Sequence, residues 1–214
     1  MLCKNTLKTA LLTSVLCGIT LTAPPSFAQM NSNKSNSQNF ETNLNKRNIE
    51  VFLATINDIA TGKNAQMSDQ DVVNFFQNHV AEDGVFESTM RYEIPGFPTQ
   101  DILMILDKES YISSVVKGRY TMRDYNTEIT ISDLKVKRGK KWAEFTSKSE
   151  EKGKIPFPKD PKRPDDVELI HVTGTSECSQ SMRISDNNFI QMVKADCNTV
   201  VSFDPFGGKP LIPR

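Results

Sequence analysis

The stretch SDQDVVNFFQNHVAEDGVFESTMRY, Ser68 to Tyr92, frames the fold. Ser68 with Asp71 three residues on is a capping-box-like pair, and the acid suits the positive end of a helix dipole. Val72, Phe75, Phe76, His79 and Val80 recur at spacings of three and four, the signature of a helix with one buried face. Gly84 then reads as the turn out of that helix, and the β-formers of Val85 to Tyr92 favour a strand. Pro95, Gly96 and Pro98 close it.

Working outward, a helix begins near Asn45 to Asn48, with Ile49, Phe52, Ile56 and Ile59 on one face and Gly62 suited to the left-handed residue after its end. Downstream, a short apolar run, Ile102 to Leu106, leads into a third helix capped by Asp107. Tyr111, Ile112, Val115 and Val116 face its core, and Gly118 ends it. From Tyr120 the period switches to two. Ile129 and Ile131 alternate with polar residues, and Leu134 and Val136 do so in the opposite phase. That slip across Ser132-Asp133 predicts a β-bulge, which bends a sheet. Arg138-Gly139-Lys140 reads as a hairpin turn returning through Trp142 to Lys152. Pro156 to Pro164 holds four prolines and reads as an extended surface loop.

The last hairpin is the clearest sheet signal. Ile170, Val172, Cys178, Met182 and Ile184 share a face of one strand, Asp186-Asn187-Asn188 turn the chain, and Phe189, Val193, Ala195, Cys197, Val201 and Phe203 share a face of the return. Pairing Cys178 with Cys197 puts Met182 opposite Val193 by antiparallel counting, so the apolar faces agree.

The termini are of another kind. Lys4 and Lys8, an uncharged apolar run from Thr9 to Thr22, Pro24-Pro25 and the small residues around Phe27 form a secretory signal peptide, residues 1–28. The run falls short of the roughly 20 residues that span a bilayer, so no membrane span is expected in the mature form. Residues 29–46 are Asn/Ser-rich and read as a flexible polar tether. The domain then covers 47–203, with a C-terminal tail at 204–214. A periplasmic or secreted location follows. Loss of Cys3 and Cys17 with the leader leaves Cys178 and Cys197, which an oxidising compartment favours as a disulfide. The chain has 26 basic and 26 acidic residues, so it has no general attraction for nucleic acid or an anionic membrane.

The order helix, helix, strand, helix, then long antiparallel strands resembles the nuclear transport factor 2-like superfamily (ketosteroid isomerase/polyketide cyclase-like), with this chain as a divergent exported member. The local likeness is HVAEDGVFES, His79 to Ser88, which is similar to the family's helix exit and first strand. The resemblance implies an α+β fold, a cone-shaped curved antiparallel sheet wrapped around N-terminal helices. It also implies a homodimer through that sheet. Isomerases of the superfamily carry an Asp base beyond the acidic pair, and that place falls on Ser88, which is no usable base without a partner. Their first-helix tyrosine has no counterpart between Ile49 and Thr61.

The candidate chemistry is thin. Glu82 and Asp83 read first as a solvated pair at a helix exit, and His79 as a hydrogen-bonded core histidine. His171 alternates out of phase with Ile170 and Val172. Two distant histidines offer no metal-ligand spacing, so neither a metal nor another cofactor is expected. Arg91, Tyr92, Tyr111, Tyr120 and Trp142 are the ligand-binding candidates at a cone mouth, and the aromatics suit a sheet–helix core equally. The basic run Lys135, Lys137, Arg138, Lys140 and Lys141 brackets a turn and reads as solvated.

No catalytic residue is assigned. The expected function is an exported, non-catalytic binding protein that takes a small apolar molecule in the cone or a protein partner on the sheet. The rival is an acid–base isomerase or dehydratase with a non-standard base, Asp83 or Glu87 with a tyrosine. A scaffold subunit of an envelope assembly is the third class. For the disulfide, protein starting at Gln29, unfolded without reductant, is expected to label at no thiol; two labelled thiols would rule the bond out.

Overall fold

The computed structural model describes residues 43–63, 66–160 and 163–204. The expected signal peptide, most of the tether and all of the tail but Asp204 lie outside the described residues. Leu44, inside the segment read as tether, is already core: it is fully buried, and its N–H donates to the Lys140 carbonyl at 2.8 Å.

Three helices follow the expected starts. In α1 (Lys46–Ala60) the Asn45 side chain accepts from the Asn48 N–H at 2.9 Å. Gly62 takes φ 69° beyond its end, and a Cβ there would stand 2.8 Å from the Arg119 carbonyl oxygen. In α2 (Asp69–His79) Ser68 and Asp71 complete the reciprocal capping box, and those bonds hold the Asp71 carboxyl below its usual range. In α3 (Lys108–Gly118) Asp107 accepts from the Ser110 N–H.

Six strands form one mixed, curved sheet: β1 (Val80–Glu93), β2 (Gln100–Leu106), β3 (Arg123–Lys137), β4 (Trp142–Asp160), β5 (Arg163–Ile184) and β6 (Ile190–Asp204). Their spatial order is β2-β1-β6-β5-β4-β3. Every neighbouring pair is antiparallel except β1 with β6, which are parallel because the whole chain from β2 to β5 intervenes. All three helices lie against one face, where Phe52, Phe76, Tyr111 and Phe86 meet the inward residues of the strands. Tyr111 stacks on Phe86 with ring centroids 4.4 Å apart and meets Phe76 edge-on at 5.8 Å.

Several elements depart from expectation. Helix α2 stops at His79, not at Gly84. Val80 is already extended and pairs with Met192 of β6, and the register then breaks until Val85 meets Lys194. Gly84 serves the arch between them: a Cβ there would sit 2.9 Å from the Ala81 carbonyl oxygen and 3.1 Å from the Phe86 ring. The apolar run before α3 is the edge strand β2, with Leu103 and Ile105 exposed on its outer face.

The proline-rich segment is a strand pair, not a loop. Pro156 pairs with Leu169, Phe157 with Glu168 and Pro158 with Val167, extending the β4–β5 ribbon past its neighbours. The two prolines are spaced by two, so their missing N–H groups face the same edge. Beyond Lys154, which pairs with Arg123, β4 has no β3 partner to lose.

In the last hairpin Cys178 does oppose Cys197, with sulfurs 2.17 Å apart and Cα atoms 4.1 Å apart, so the pair is placed for a disulfide. Met182, however, opposes Met192 and not Val193. The register slips between Ser181 and Met182, which takes Val193 out of the inward phase and puts Ile190 and Met192 into it. The expected bulge at Ser132-Asp133 is present, with Asp133 at φ 53°.

Gly62 and Gly139 share the left-handed backbone, but only Gly62 faces a steric wall; Gly139, at φ 62°, has open space. Urea unfolding is expected to show Gly139→Ala costing about 1 kcal/mol and Gly62→Ala clearly more. Equal losses would refute the packing role of Gly62.

Candidate functional site

The curved sheet and the helices do not close completely on each other. Between them lies a chamber of about 80 Å³. On its helix side Leu53, Ile56 and the polar Asn57 come from α1 and Tyr111 from α3, with Phe86 and Met90 of β1 beside them. Its sheet side carries a band of polar groups that crosses four strands: Ser88 on β1, Thr199 on β6, Ser176 on β5, and Ser147, Ser149 and Glu151 on β4.

Strand register creates that band. Ser88 Oγ lies 3.5 Å from Thr199 Oγ1, which lies 3.0 Å from Ser176 Oγ. Ser176 pairs directly with Ser149, whose hydroxyl donates to Glu151 Oε1 at 3.4 Å. Alongside, Gln180 Nε2 donates to Ser147 Oγ at 2.6 Å. Hydroxyls both donate and accept, so a row of them can turn to suit what lies against it.

Glu151 is the anomaly in this band. It is 3% exposed, and its Oε2 has no hydrogen-bond partner among the described residues. Hydrogen bonding from the Tyr125 and Ser149 hydroxyls favours the ionised form somewhat, and the Tyr125 hydroxyl also donates to Asn57 Oδ1 at 3.5 Å. Burial therefore dominates and pushes the Glu151 carboxyl up to about 7. Burial, and the negative charge of Glu151, in turn raise the Tyr125 phenol well above its usual range. Gly174 opposes Glu151 on β5, where a Cβ would meet its carboxylate at 3.6 Å, an ordinary van der Waals contact.

Of the five ligand-binding candidates, only Tyr111 lines the chamber. Arg91 lies on the outer face in a two-bond pair with Asp101, at 2.9 and 3.3 Å. Tyr92 is buried beside it in sequence but packs in the core, stacked toward Phe203 at 6.3 Å with its hydroxyl on Met90 Sδ. Tyr120 is exposed and donates to Asp69. Trp142 sits under the Arg138 guanidinium and donates to Glu144.

The carboxylates named for the rival reading also lie elsewhere. Asp83 pairs with Arg183 at 3.0 Å, Glu82 with the buried Lys108 at 3.0 Å, and Glu87 faces outward beside Ile105. His79 is a core histidine: its Nδ1–H donates to the Ile190 carbonyl at 2.7 Å among Phe52, Phe75 and Phe189, and burial holds it below its usual range. Ser88, where the isomerase base would stand, does face the chamber.

Sequence reasoning passed over Glu151, yet a signal existed. Counting by two along β4 puts Glu151 in phase with Ala143, Phe145 and Ile155, all buried, so a carboxylate stands at a core position. Among the described residues no group of three or more acidic, histidine or cysteine side chains could hold a metal, and no helix is long and apolar enough to cross a membrane.

No protein-family model matches the sequence, and no curated protein matches it. Solved structures do resemble the chain. A conserved protein from Planctomyces limnophilus is 12% identical, covering 74% of this chain and 100% of its own, with a TM-score of 0.42. An NTF2-like protein from Cytophaga hutchinsonii is 13% identical over 72% of this chain and 98% of its own, at a TM-score of 0.36. A ketosteroid isomerase-like protein from Erwinia carotovora atroseptica is 14% identical with the same coverage, at 0.29. Two of these three names belong to the superfamily that the sequence resembles, while the fold itself stands on the strand order and register above.

The Glu151 environment makes a signed prediction. The folded protein holds this proton up to about pH 7, against a usual carboxyl value of 4.5. Its contribution to stability is therefore complete below about 4.5 and lost as pH rises through 7, a change on the order of 3 kcal/mol. Glu151→Gln should abolish that loss, so its stability relative to the native chain should rise between about pH 5 and pH 8 in urea unfolding. His79 titrates alike in both proteins and cancels. An unchanged difference between the two pH values would show that Glu151 is not buried without compensation.

Proposed function

We propose that the chain binds a small, largely apolar molecule inside the cone, after export to a periplasmic or extracellular space. The carrying observation is the chamber itself, a largely apolar space crossed on its sheet side by a band of hydroxyls and Glu151. Apolar pockets with a few placed polar groups are common in ligand sites. The leader-like N-terminus and the facing cysteines support export.

One observation favours a second reading, acid–base catalysis. Glu151 lies in the chamber and is held near neutrality, so at pH 7 it exists in both protonation states and can take or give a proton to a bound molecule. In that reading the base is Glu151 on β4, not Asp83 or Glu87, and Ser88 and Thr199 serve as hydrogen-bonding groups.

Two measurements test these readings. A thermal-shift screen with small apolar molecules should raise the melting temperature, and Ala195→Leu, which fills the chamber wall, should cancel the rise. No stabilisation by any compound would remove the chamber reading. Solvent deuterium exchange into the α-carbon of a bound small ketone, present in the native chain and lost in Glu151→Gln, would establish acid–base chemistry; exchange at the uncatalysed rate would leave binding alone.

A further inference from the structure

We propose that the tip of the β3–β4 hairpin, together with the start of α1, is a docking surface for an anionic lipid bilayer. The proposal does not depend on the chamber, and its failure would leave the chamber reading untouched.

The sequence places five cations, Lys135, Lys137, Arg138, Lys140 and Lys141, around one turn. The fold adds two more from far earlier in the chain. The Leu44 N–H donates to the Lys140 carbonyl at 2.8 Å, so α1 starts against the turn, with Lys46 and Arg47 leading it and no acid in its first turn. From the other side the Ile184 N–H donates to the Lys141 carbonyl at 2.9 Å and ties the turn to the end of β5. All seven cations are exposed.

Acids do not balance them. Glu50 meets Lys46 at 3.8 Å and Glu144 meets Lys137 at 2.8 Å. Asp83 is taken by Arg183, the residue paired across from Trp142. With Asp133 at the bulge and Asp186 in the neighbouring turn also counted, the cations still outnumber the acids by three among the described residues. The whole chain is neutral by count, so the excess is a local one that the total conceals.

Shape and apolar content select the partner. Val136, paired with the buried Ala143, lies on the helix side of the hairpin, and Lys135 and Lys137 lie on the other. Arg138, Gly139 and Lys140 carry the chain round through left-handed backbone. The cations therefore surround a convex end and line no cleft, an arrangement that meets a plane of phosphates better than it encloses one. Among them stand Val136, 38% exposed, and the half-buried Trp142. At a bilayer such apolar groups enter the headgroup layer while lysine stems spread and keep their ammonium groups at the phosphates. An acidic polysaccharide offers no apolar layer, and the Trp142 ring that could stack on a base already lies under the Arg138 guanidinium, 5.2 Å away. The segments read as leader and tether also run into Leu44, so the patch is where the domain joins the part that meets a membrane during export.

The test is co-sedimentation with vesicles, using the chain from Gln29, the form expected after export, which keeps every described residue. At about 0.1 M salt the protein is expected to bind vesicles of equal parts phosphatidylglycerol and phosphatidylcholine, and not phosphatidylcholine alone. At about 1 M salt, where the screening length falls to about 3 Å, it should be released. Each basic residue near an anionic bilayer strengthens binding about fivefold. Arg47→Gln, Lys140→Gln and Lys141→Gln combined should therefore weaken binding about 100-fold, with the melting temperature unchanged because all three side chains are exposed. Lys117→Gln, Lys152→Gln and Lys194→Gln combined remove the same charge elsewhere and should cost less than about threefold, since distant charges are screened. No binding to the anionic vesicles, equal binding to neutral ones, or equal losses in the two variants would overturn the proposal. Displacement by inorganic phosphate at constant ionic strength would reveal a discrete anion pocket instead. Retention on dextran sulfate without retention on vesicles would point to an acidic polymer. Either result would remove the bilayer as the partner.

Discussion

The register of β4, β5 and β6 is the constraint on which the rest depends. In a sheet covered on one face, a shift of one residue exchanges buried and exposed side chains along the whole strand. Cys178 opposite Cys197 marks the register near the middle of the hairpin, and the slip beside Met182 corrects it toward the turn, bringing Ile190 and Met192 inward. A bond across a 19-residue separation would also remove unfolded-state entropy worth about 3 kcal/mol. Bulges in β3 and the arch at the start of β1 then curve the sheet toward the helices.

Curvature has a cost that becomes the site. A flat sheet under three helices could be filled by side chains to ordinary interior density. Here the inward face changes character along β4, from Ala143 and Phe145 to Ser147, Ser149 and Glu151, then back to Ile155. The polar section coincides with Ser176 on β5 and Thr199 on β6, so the hydroxyls support one another and no single strand carries an isolated polar residue. Within that described band, Glu151 Oε2 is the side-chain oxygen with no partner at hydrogen-bonding geometry. A single buried, uncompensated carboxyl costs several kcal/mol when ionised, a large share of the net stability of a domain.

Where reading the residues succeeded, the signals were local. Ser68 and Asp71, Asn45 and Asp107 predict helix starts because a cap is satisfied within three residues of itself. The bulge at Ser132-Asp133 is written in the phase of four apolar residues. The failures were all settled at a distance. Helix α2 ends at His79 because β6, more than a hundred residues on, is there to pair with Val80. Pro156 and Pro158 stand in a strand because β3 has already ended beside them. Aromatics with polar ends look alike in sequence, yet Tyr111 reaches the chamber while Tyr92 goes to the core and Tyr120 to the surface.

The sequence by itself determined the helix starts, the last hairpin with its facing cysteines and the α+β class, because caps, turns and hydrophobic period act over a few residues. Only the tertiary structure decided which of many carboxylates became special. Glu151 is one acid among several on β4 until Gly174, Tyr125, Asn57 and the helices close around it. Its altered acidity comes from the exclusion of water by residues distant in the chain, and no local pattern encodes that exclusion.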